Sequence, residues 1–304
     1  PWAFEYYKQQ QHMHWLPDEV NLADDLRDYR DKMSEGNKRL LGQIFRFFTQ
    51  ADVDVCCGYA KHYLPTFKQP EVRMMLSAFA AMEAVHQEAY SLLLETLGFS
   101  DDEYQKFFEH KEMLDKHEYL SNFGMGTPID IAKTMAIYSG FTEGVQLFSS
   151  FAILLNFPRH NLMKGMGQIV TWSVRDESLH VEGMSHLFRS FVQENPQLWT
   201  DDLKYEIYCA AERTVELEDA FIDLCFEGAE VPDLTAEEVK EYIRYIADRR
   251  LLGLGLKKIF GSDANPLPWL DYMLNGVEHT NFFENRATEY SRASTTGNWQ
   301  DIFK

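Results

Sequence analysis

The sequence is poor in cysteine, in basic residues and in long apolar runs, and each shortage excludes something. Its 304 residues hold four cysteines, Cys56, Cys57, Cys209 and Cys225, with no C-x-x-C spacing. A thiolate metal site and a disulfide framework are therefore not expected, and the thiols read as reduced, in a cytoplasmic protein. The vicinal pair Cys56–Cys57 reads as two small buried hydrophobes, with a redox-active pair as the alternative. Lys and Arg number 29 against 48 Asp and Glu, a net charge of −19. That balance argues against nucleic acid and against anionic membrane surfaces as partners. No apolar run approaches the ~18 residues that would suggest a membrane span. The nearest, VQLFSSFAILLNF (145–157), is interrupted by Gln146, Ser149 and Ser150. The opening PWAFEYYKQQ has no basic stretch followed by an apolar one, so no secretory leader is expected. There is neither a G-x-G-x-x-G nor a P-loop, so the chain shows no nucleotide-pocket signature of its own.

What is present is helical. Hydrophobic residues make up 45% and charged ones 25%, an ordinary composition for a folded domain. Apolar positions recur at helical spacing, and no run alternates long enough to predict a strand. Punctuation divides the chain into helices at about 37–64, 70–97, 101–117, 128–156, 165–194, 200–227 and 235–256. Pro70 suits a first helical turn and Gly98 stops that helix. Thr127–Pro128 is an N-cap followed by Pro, Pro158 closes that region, and Thr235-x-x-Glu238 is a capping box. The spacing predicts an all-α, single-domain chain.

Two of these helices repeat an unusual pattern. Glu83 and His86 in AMEAVHQEAY return 94 residues later as Glu177 and His180 in RDESLH. Residues at i and i+3 share one helix face, so each E-x-x-H offers a carboxylate and an imidazole to one point. Such groups are costly in an apolar helix unless a cation supplies the missing charge. The helix before each motif carries a further acid in an apolar context. Asp52 lies 31 residues before Glu83, and Glu143 lies 34 before Glu177. Asp54 rivals Asp52 but points to another face. Glu182 and His186, spaced i and i+4, read as surface.

An acid from each of two helices plus Glu-x-x-His from two others is the known ligand pattern of ferritin-like dimetal carboxylate bundles. Four carboxylates and two imidazoles suit a pair of iron or manganese ions better than a structural zinc. The expected fold is thus a ferritin-like helical bundle, enlarged by extra helices.

Ferritins, oxygenases and radical generators share this template, and neighbouring residues separate them. HWLPDEV (14–20), FFTQADVDV (47–55), PEVRMMLSAFAAMEAVHQEAY (70–90), TEGVQLFSSF (142–151), RDESLH (175–180), NPLPWL (265–270) and FFENRATEYS (282–291) together resemble the small, radical-generating subunit of class I ribonucleotide reductase. The resemblance spans nearly the whole chain. It implies that Asp52, Glu83, His86, Glu143, Glu177 and His180 hold two metals: iron first, with manganese or a mixed pair open to the same ligands. It places the radical tyrosine at Tyr90, four residues after His86 and seven after Glu83, on the metal-facing side of that helix. Phe79, Leu147, Phe151 and Val170 would shield it.

The resemblance also implies a chain Trp15–Asp176–His86. Asp176 would receive the imidazole N–H that metal-bound histidines commonly donate to a carboxylate. Tyr290 would relay the radical to a large subunit, on which a polar tail (285–304) would dock. Residues 1–284 would form the helical domain and pair as a homodimer. On this reading the metals activate an oxygen species, Tyr90 becomes a phenoxyl radical, and the hole crosses to the large subunit to reduce ribonucleotides. The chain would then be inactive alone. The alternatives are a dimetal oxidase or oxygenase acting on a small or lipid-like substrate, and an iron-storage protein. The first leaves Trp15, Asp176 and the tail unexplained, and the second is typified by shorter, cage-forming chains.

Overall fold

Two shorter helices precede the first one that the sequence pattern marks. In the computed structural model, which describes residues 1–100, 110–120 and 124–274, α1 spans Trp2–His12 and α2 spans Ala23–Lys32. The residues that α1 buries are Ala3, Tyr6 and Gln10, so its inner face is not an apolar stripe. α2 buries Asp25 and Asp28. Asp25 accepts the backbone N–H groups of Gly165 and Met166 at 3.0 and 2.8 Å, and Asp28 accepts that of Met163 at 3.0 Å. These acids cap the start of α8 (Lys164–Glu194), where free N–H groups and the helix dipole favour negative charge.

The long helices fall close to expectation. α3 (Glu35–Gly58) opens on Ser34, whose hydroxyl accepts from Asn37 N. α4 (Pro70–Leu97) has Pro70 in its first turn and ends on Gly98 at φ +82°, the left-handed cap that glycine adopts without strain. α5 is Lys111–Leu120; most of the predicted 101–117 helix lies outside the described residues. α6 (Pro128–Thr134) begins with reciprocal Thr127–Asp130 bonds. α7 is Phe148–Arg159, α9 is Asp201–Phe226 and α10 is Ala236–Gly253, the last opened by the Thr235–Glu238 box.

Two regions depart from the expected regular helix. α3 passes into a π turn at Tyr59–Tyr63, and α6 and α7 are joined by a π segment, Met135–Gln146. Such i→i+5 turns are rare and gather at functional sites. Side chains serve the carbonyls along the second segment: Arg250 Nε donates to Gly144 O at 2.8 Å, and Lys116 Nζ to Gln146 O at 3.3 Å. The two regions meet where Tyr138 Oη donates to Asp54 O at 2.7 Å, an approach that Gly58 permits because a Cβ there would lie 2.6 Å from that hydroxyl. Pro158 does not end α7 before itself; it occupies the helix's last turn. There the ring's clash with the previous turn affects only a fraying end.

α3 packs on α4, the π segment packs on α8, and α1 lies against α4 and α8. α9 and α10 cover the π segment. Phe45, Phe48, Phe79, Phe141 and Phe151 are buried in the core between these helices. Each contributes about 1.5–3 kcal/mol by burial, which offsets the cost of enclosing acids nearby. The cysteine pair departs from expectation: Cys57 is exposed and Cys56 half-buried. Asp52 and Val55 take the inward face of that turn of α3 and leave Cys57 outside. The chain divides into two units, 1–266 and 267–304. The second is described over 267–274, where 268–274 are helical. The proposed domain boundary at 284/285, the tail and Tyr290 lie outside the described residues. Among the described residues no helix is long and apolar enough to cross a membrane.

Candidate dimetal centre

The two E-x-x-H helices, α4 and α8, face each other with their motifs level. Glu83 and His86 come from α4, Glu177 and His180 from α8, Asp52 from α3, and Glu143 from the π segment. All six are buried. Ligand atoms of Asp52, Glu83 and His86 lie within 4.8 Å of one another, as do those of Glu83, Glu177 and His180, so Glu83 belongs to both triads. His86 Nδ1 is 3.2 Å from Glu177 Oε1 and 3.5 Å from Glu83 Oε2. His180 Nδ1 is 2.9 Å from Glu83 Oε1 and 3.7 Å from Glu177 Oε2. Asp54, the rival to Asp52, points away and pairs with His117 Nδ1 at 2.6 Å.

The outer ring nitrogens assign the tautomers. His86 Nε2 is 3.2 Å from Asp176 Oδ2, and Trp15 Nε1 donates to the same oxygen at 2.7 Å. The expected Trp15–Asp176–His86 chain is therefore continuous. Gln10 Nε2 donates to Asp176 Oδ1 at 3.1 Å, and Gln10 Oε1 lies 3.0 Å from His180 Nε2. A carboxylate and an amide oxygen can only accept, so both imidazoles carry their proton on Nε2. With a cation bound, each ring would be neutral and offer its Nδ1 lone pair on the side of the carboxylates, as a metal ligand does.

The pattern of unpaired atoms tests whether a metal pair fits. Asp52 Oδ2, both oxygens of Glu83, Glu143 Oε1, Glu177 Oε2 and His180 Nδ1 are buried with no hydrogen-bond partner. His180 Nδ1 and Glu83 Oε1 are close without hydrogen-bond alignment, as two lone pairs converging on one cation would be. Buried acceptors in such numbers are not left unsatisfied in stable cores. The donor set of carboxylate oxygens and imidazole nitrogens suits iron or manganese.

Electrostatics agree. Burial pushes Asp52 well above the usual carboxylate range; His86 opposes the shift, and the charges of Glu83 and Glu177 add to it. Burial, with Glu177 and Glu83, does the same to Glu143. Burial and Glu83 also raise Glu177. For Glu83 burial pulls upward too, but the closeness of the His180 and His86 imidazoles outweighs it and brings it to about 2. For both histidines burial opposes charging, yet carboxylate partners raise them: Asp176, Glu177 and Glu83 for His86, and Glu83 and Glu177 for His180. The raised acids reflect burial and the crowding of carboxylates, and the raised histidines and lowered Glu83 reflect imidazoles held among those carboxylates.

Tyr90 is buried one helical turn beyond His86. Its hydroxyl donates to Ser173 Oγ at 3.1 Å, and Ser173 in turn donates to Ile169 O. Burial, then the charge of Asp52, holds the phenol far above its ordinary pKa and so keeps it protonated. Phe48 stacks on its ring at 4.5 Å, and Phe151 stacks on Phe48 at 5.1 Å. The shield thus includes Phe48, which the sequence reading omitted. Phe79 instead faces the His180 ring at 4.4 Å. Glu182 is exposed as expected, but His186 is half-buried beneath Trp2, with ring centroids 4.1 Å apart.

Gln10 and Tyr59 were missed. Gln10 gives no signal, being one of three successive glutamines on a polar helix. Tyr59, whose hydroxyl donates to Glu143 Oε2 at 2.8 Å, was findable: it stands seven residues after Asp52, as Tyr90 stands seven after Glu83.

This fold and site define a dimetal-carboxylate helical bundle protein. Residues 1–266 match the family model "Ribonucleotide reductase, small chain". The chain is 46% identical, over 98% of its own length and 84% of the relative's, to the Invertebrate iridescent virus 3 protein called "Probable ribonucleoside-diphosphate reductase small subunit 048L". It is 31% identical to the ribonucleoside-diphosphate reductase subunit beta of Chlamydia pneumoniae, over 96% of this chain and 88% of that one. The R2 subunit of ribonucleotide reductase from Clostridium botulinum shares the fold at TM-score 0.84 and 21% identity, over 90% of this chain and 88% of that one. The dimanganese(II) form of NrdF from Streptococcus sanguinis shares it at TM-score 0.75 and 24% identity, over 87% and 92%. The chain therefore belongs to the ribonucleotide reductase small-chain family. It is an oxidoreductase subunit that acts with a large subunit.

Proposed function

We propose that the six buried residues hold the metal pair and that Tyr90 stores the oxidising equivalent for ribonucleotide reduction. When bound, the pair supplies a one-electron oxidant by reacting with dioxygen or a reduced oxygen species. Asp52, Glu83, Glu143 and Glu177 balance its charge. His86 and His180 bind through Nδ1 and are held by Asp176 and Gln10. Tyr90, kept neutral by burial, gives up an electron and a proton together. Phe48 and Phe151 exclude water and reductants from the phenoxyl group. The oxidising equivalent leaves by way of His86, Asp176 and Trp15, whose continuous hydrogen bonds fix the donor–acceptor distances. Tyr290 and the tail (285–304) carry it to the large subunit, and the body pairs as a homodimer in the cytoplasm. Iron is the first choice of metal, with manganese or a mixed pair compatible with the same donors; the dimanganese(II) relative supports that range.

The observation that carries the reading is a buried phenol one helical turn from a cluster of five converging ligand side chains, with Ser173 as its hydroxyl's partner and an aromatic wall of Phe48 and Phe151. Tyr90→Phe removes one oxygen and costs about 1 kcal/mol from the lost hydrogen bond. Metal content is expected to stay unchanged, while the phenoxyl electron paramagnetic resonance signal and ribonucleotide reduction both disappear. Full turnover by this variant would transfer the oxidant from Tyr90 to the metal pair itself.

A further inference from the structure

We propose that Tyr59 is a positioning residue for the metal centre, occupying one oxygen of Glu143 so that the other is this side chain's sole free ligand atom. This inference rests on the reading of the six residues as metal ligands. Tyr59 is wholly buried in the π turn that ends α3. Its hydroxyl donates to Glu143 Oε2 at 2.8 Å, whereas Glu143 Oε1 is buried without a partner.

Glu143 needs such a hold more than the other five do. Asp52, Glu83, His86, Glu177 and His180 fall into two triads that brace one another, and Glu143 joins neither. The terminal torsion of a glutamate is broad and nearly two-fold, so an unheld carboxylate exchanges its oxygens freely. A well-aligned donor on one oxygen breaks that symmetry. The donor is itself locked: the Tyr59 ring meets Phe79 edge-on at 6.2 Å and His180 edge-on at 6.3 Å. The Ser139 hydroxyl also acts on Glu143 as a lesser hydrogen-bond partner and lies 3.0 Å from Tyr63 Oη, so it supports the same carboxylate after Tyr59. Both partners belong to π segments, Tyr59 to Tyr59–Tyr63 and Glu143 to Met135–Gln146. The extra residue per turn in each gives these irregular segments a purpose, since together they bring a phenol from one ligand helix onto the acid of another.

The test is calorimetric titration of the full-length, metal-free chain with Mn²⁺, comparing wild type with Y59F, Y138F, E143A and Y59F/E143A. Tyr138 is the control, a buried phenol whose hydroxyl goes to the Asp54 carbonyl. Wild type is expected to bind two equivalents. In Y59F one equivalent keeps its affinity and the other weakens about 10–100-fold, the usual effect of removing a group that orients a ligand. Y138F binds as wild type, and adding Y59F to E143A weakens binding no further, since the hydroxyl acts only through that acid. If wild type binds two ions and Y59F gives the same isotherm, this inference alone fails. It fails equally if Y138F weakens binding as much as Y59F does, which would mark general loosening. A wild-type chain that takes up no ion pair overturns the metal-site reading and this inference with it.

Discussion

A buried carboxylate without a partner is satisfied by a proton or by a metal, and the residues at this centre make the choice measurable. Asp52, Glu143 and Glu177 are raised from ordinary values of 3.8, 4.5 and 4.5, and His86 and His180 from 6.5. A group raised on folding contributes stability that is complete below its unfolded value and lost as pH climbs through the folded one. All five therefore stabilise the metal-free chain at acidic pH and lose that contribution towards alkaline pH. Glu83, lowered to about 2, behaves oppositely: its contribution is complete above its unfolded value of 4.5 and is lost only as pH falls towards about 2, outside the near-neutral range. Scanning calorimetry of the metal-free protein is expected to give a higher Tm near about pH 6 than near about pH 8. Added Mn²⁺ is expected to raise Tm more at the higher pH, because binding displaces protons. A metal-free Tm that rises with pH would contradict the assignment. The sequence made these six residues legible because acids in apolar helices are conspicuous. Gln10 was not legible, since an amide on a polar helix costs nothing in the sequence pattern. Tyr59 was legible in principle, through the same register that marks Tyr90.

The helices were legible from punctuation: Pro70 and Gly98 bound α4, and Thr127 and Thr235 open two others within a residue of expectation. The π segments were not, because their cause lies in other elements. Gln146 O takes a proton donor from Lys116 of α5, and Gly144 O takes one from Arg250 of α10. Lys116 is itself a device at this scale. It is wholly buried, 2.5 Å from Glu218 Oε1 of α9 and 3.6 Å from the centre of the Phe47 ring. Ser149 of α7 donates to the second oxygen of Glu218. One ion pair thus joins α5, α7, α9 and the end of the π segment. Removing one partner leaves a buried charge uncompensated, so Lys116→Met is expected to destabilise by about 3–5 kcal/mol in urea titration. Lys116→Met with Glu218→Gln is expected to recover part of that loss. A cost below about 1 kcal/mol for the single variant would show the pair to be incidental.

For the whole molecule the decisive sequence feature was the repeat, helix with acid followed by helix with Glu-x-x-His, which implied both the bundle and a paired site. The structure realises it as α3 on α4 and the π segment on α8, with Glu83 common to the two triads. What the repeat could not reveal is how the first helix closes the site, because α1 contributes through Gln10 and not through an apolar face. The central claim is that these residues hold two metals side by side. Anomalous diffraction from crystals of the metal-loaded protein, measured across the iron and manganese absorption edges, tests it most directly. The account predicts two peaks per chain about 3.5–4 Å apart, one on Asp52 and His86, the other on Glu177 and His180, with Glu83 reaching both. A single peak, or peaks away from these side chains, would contradict it.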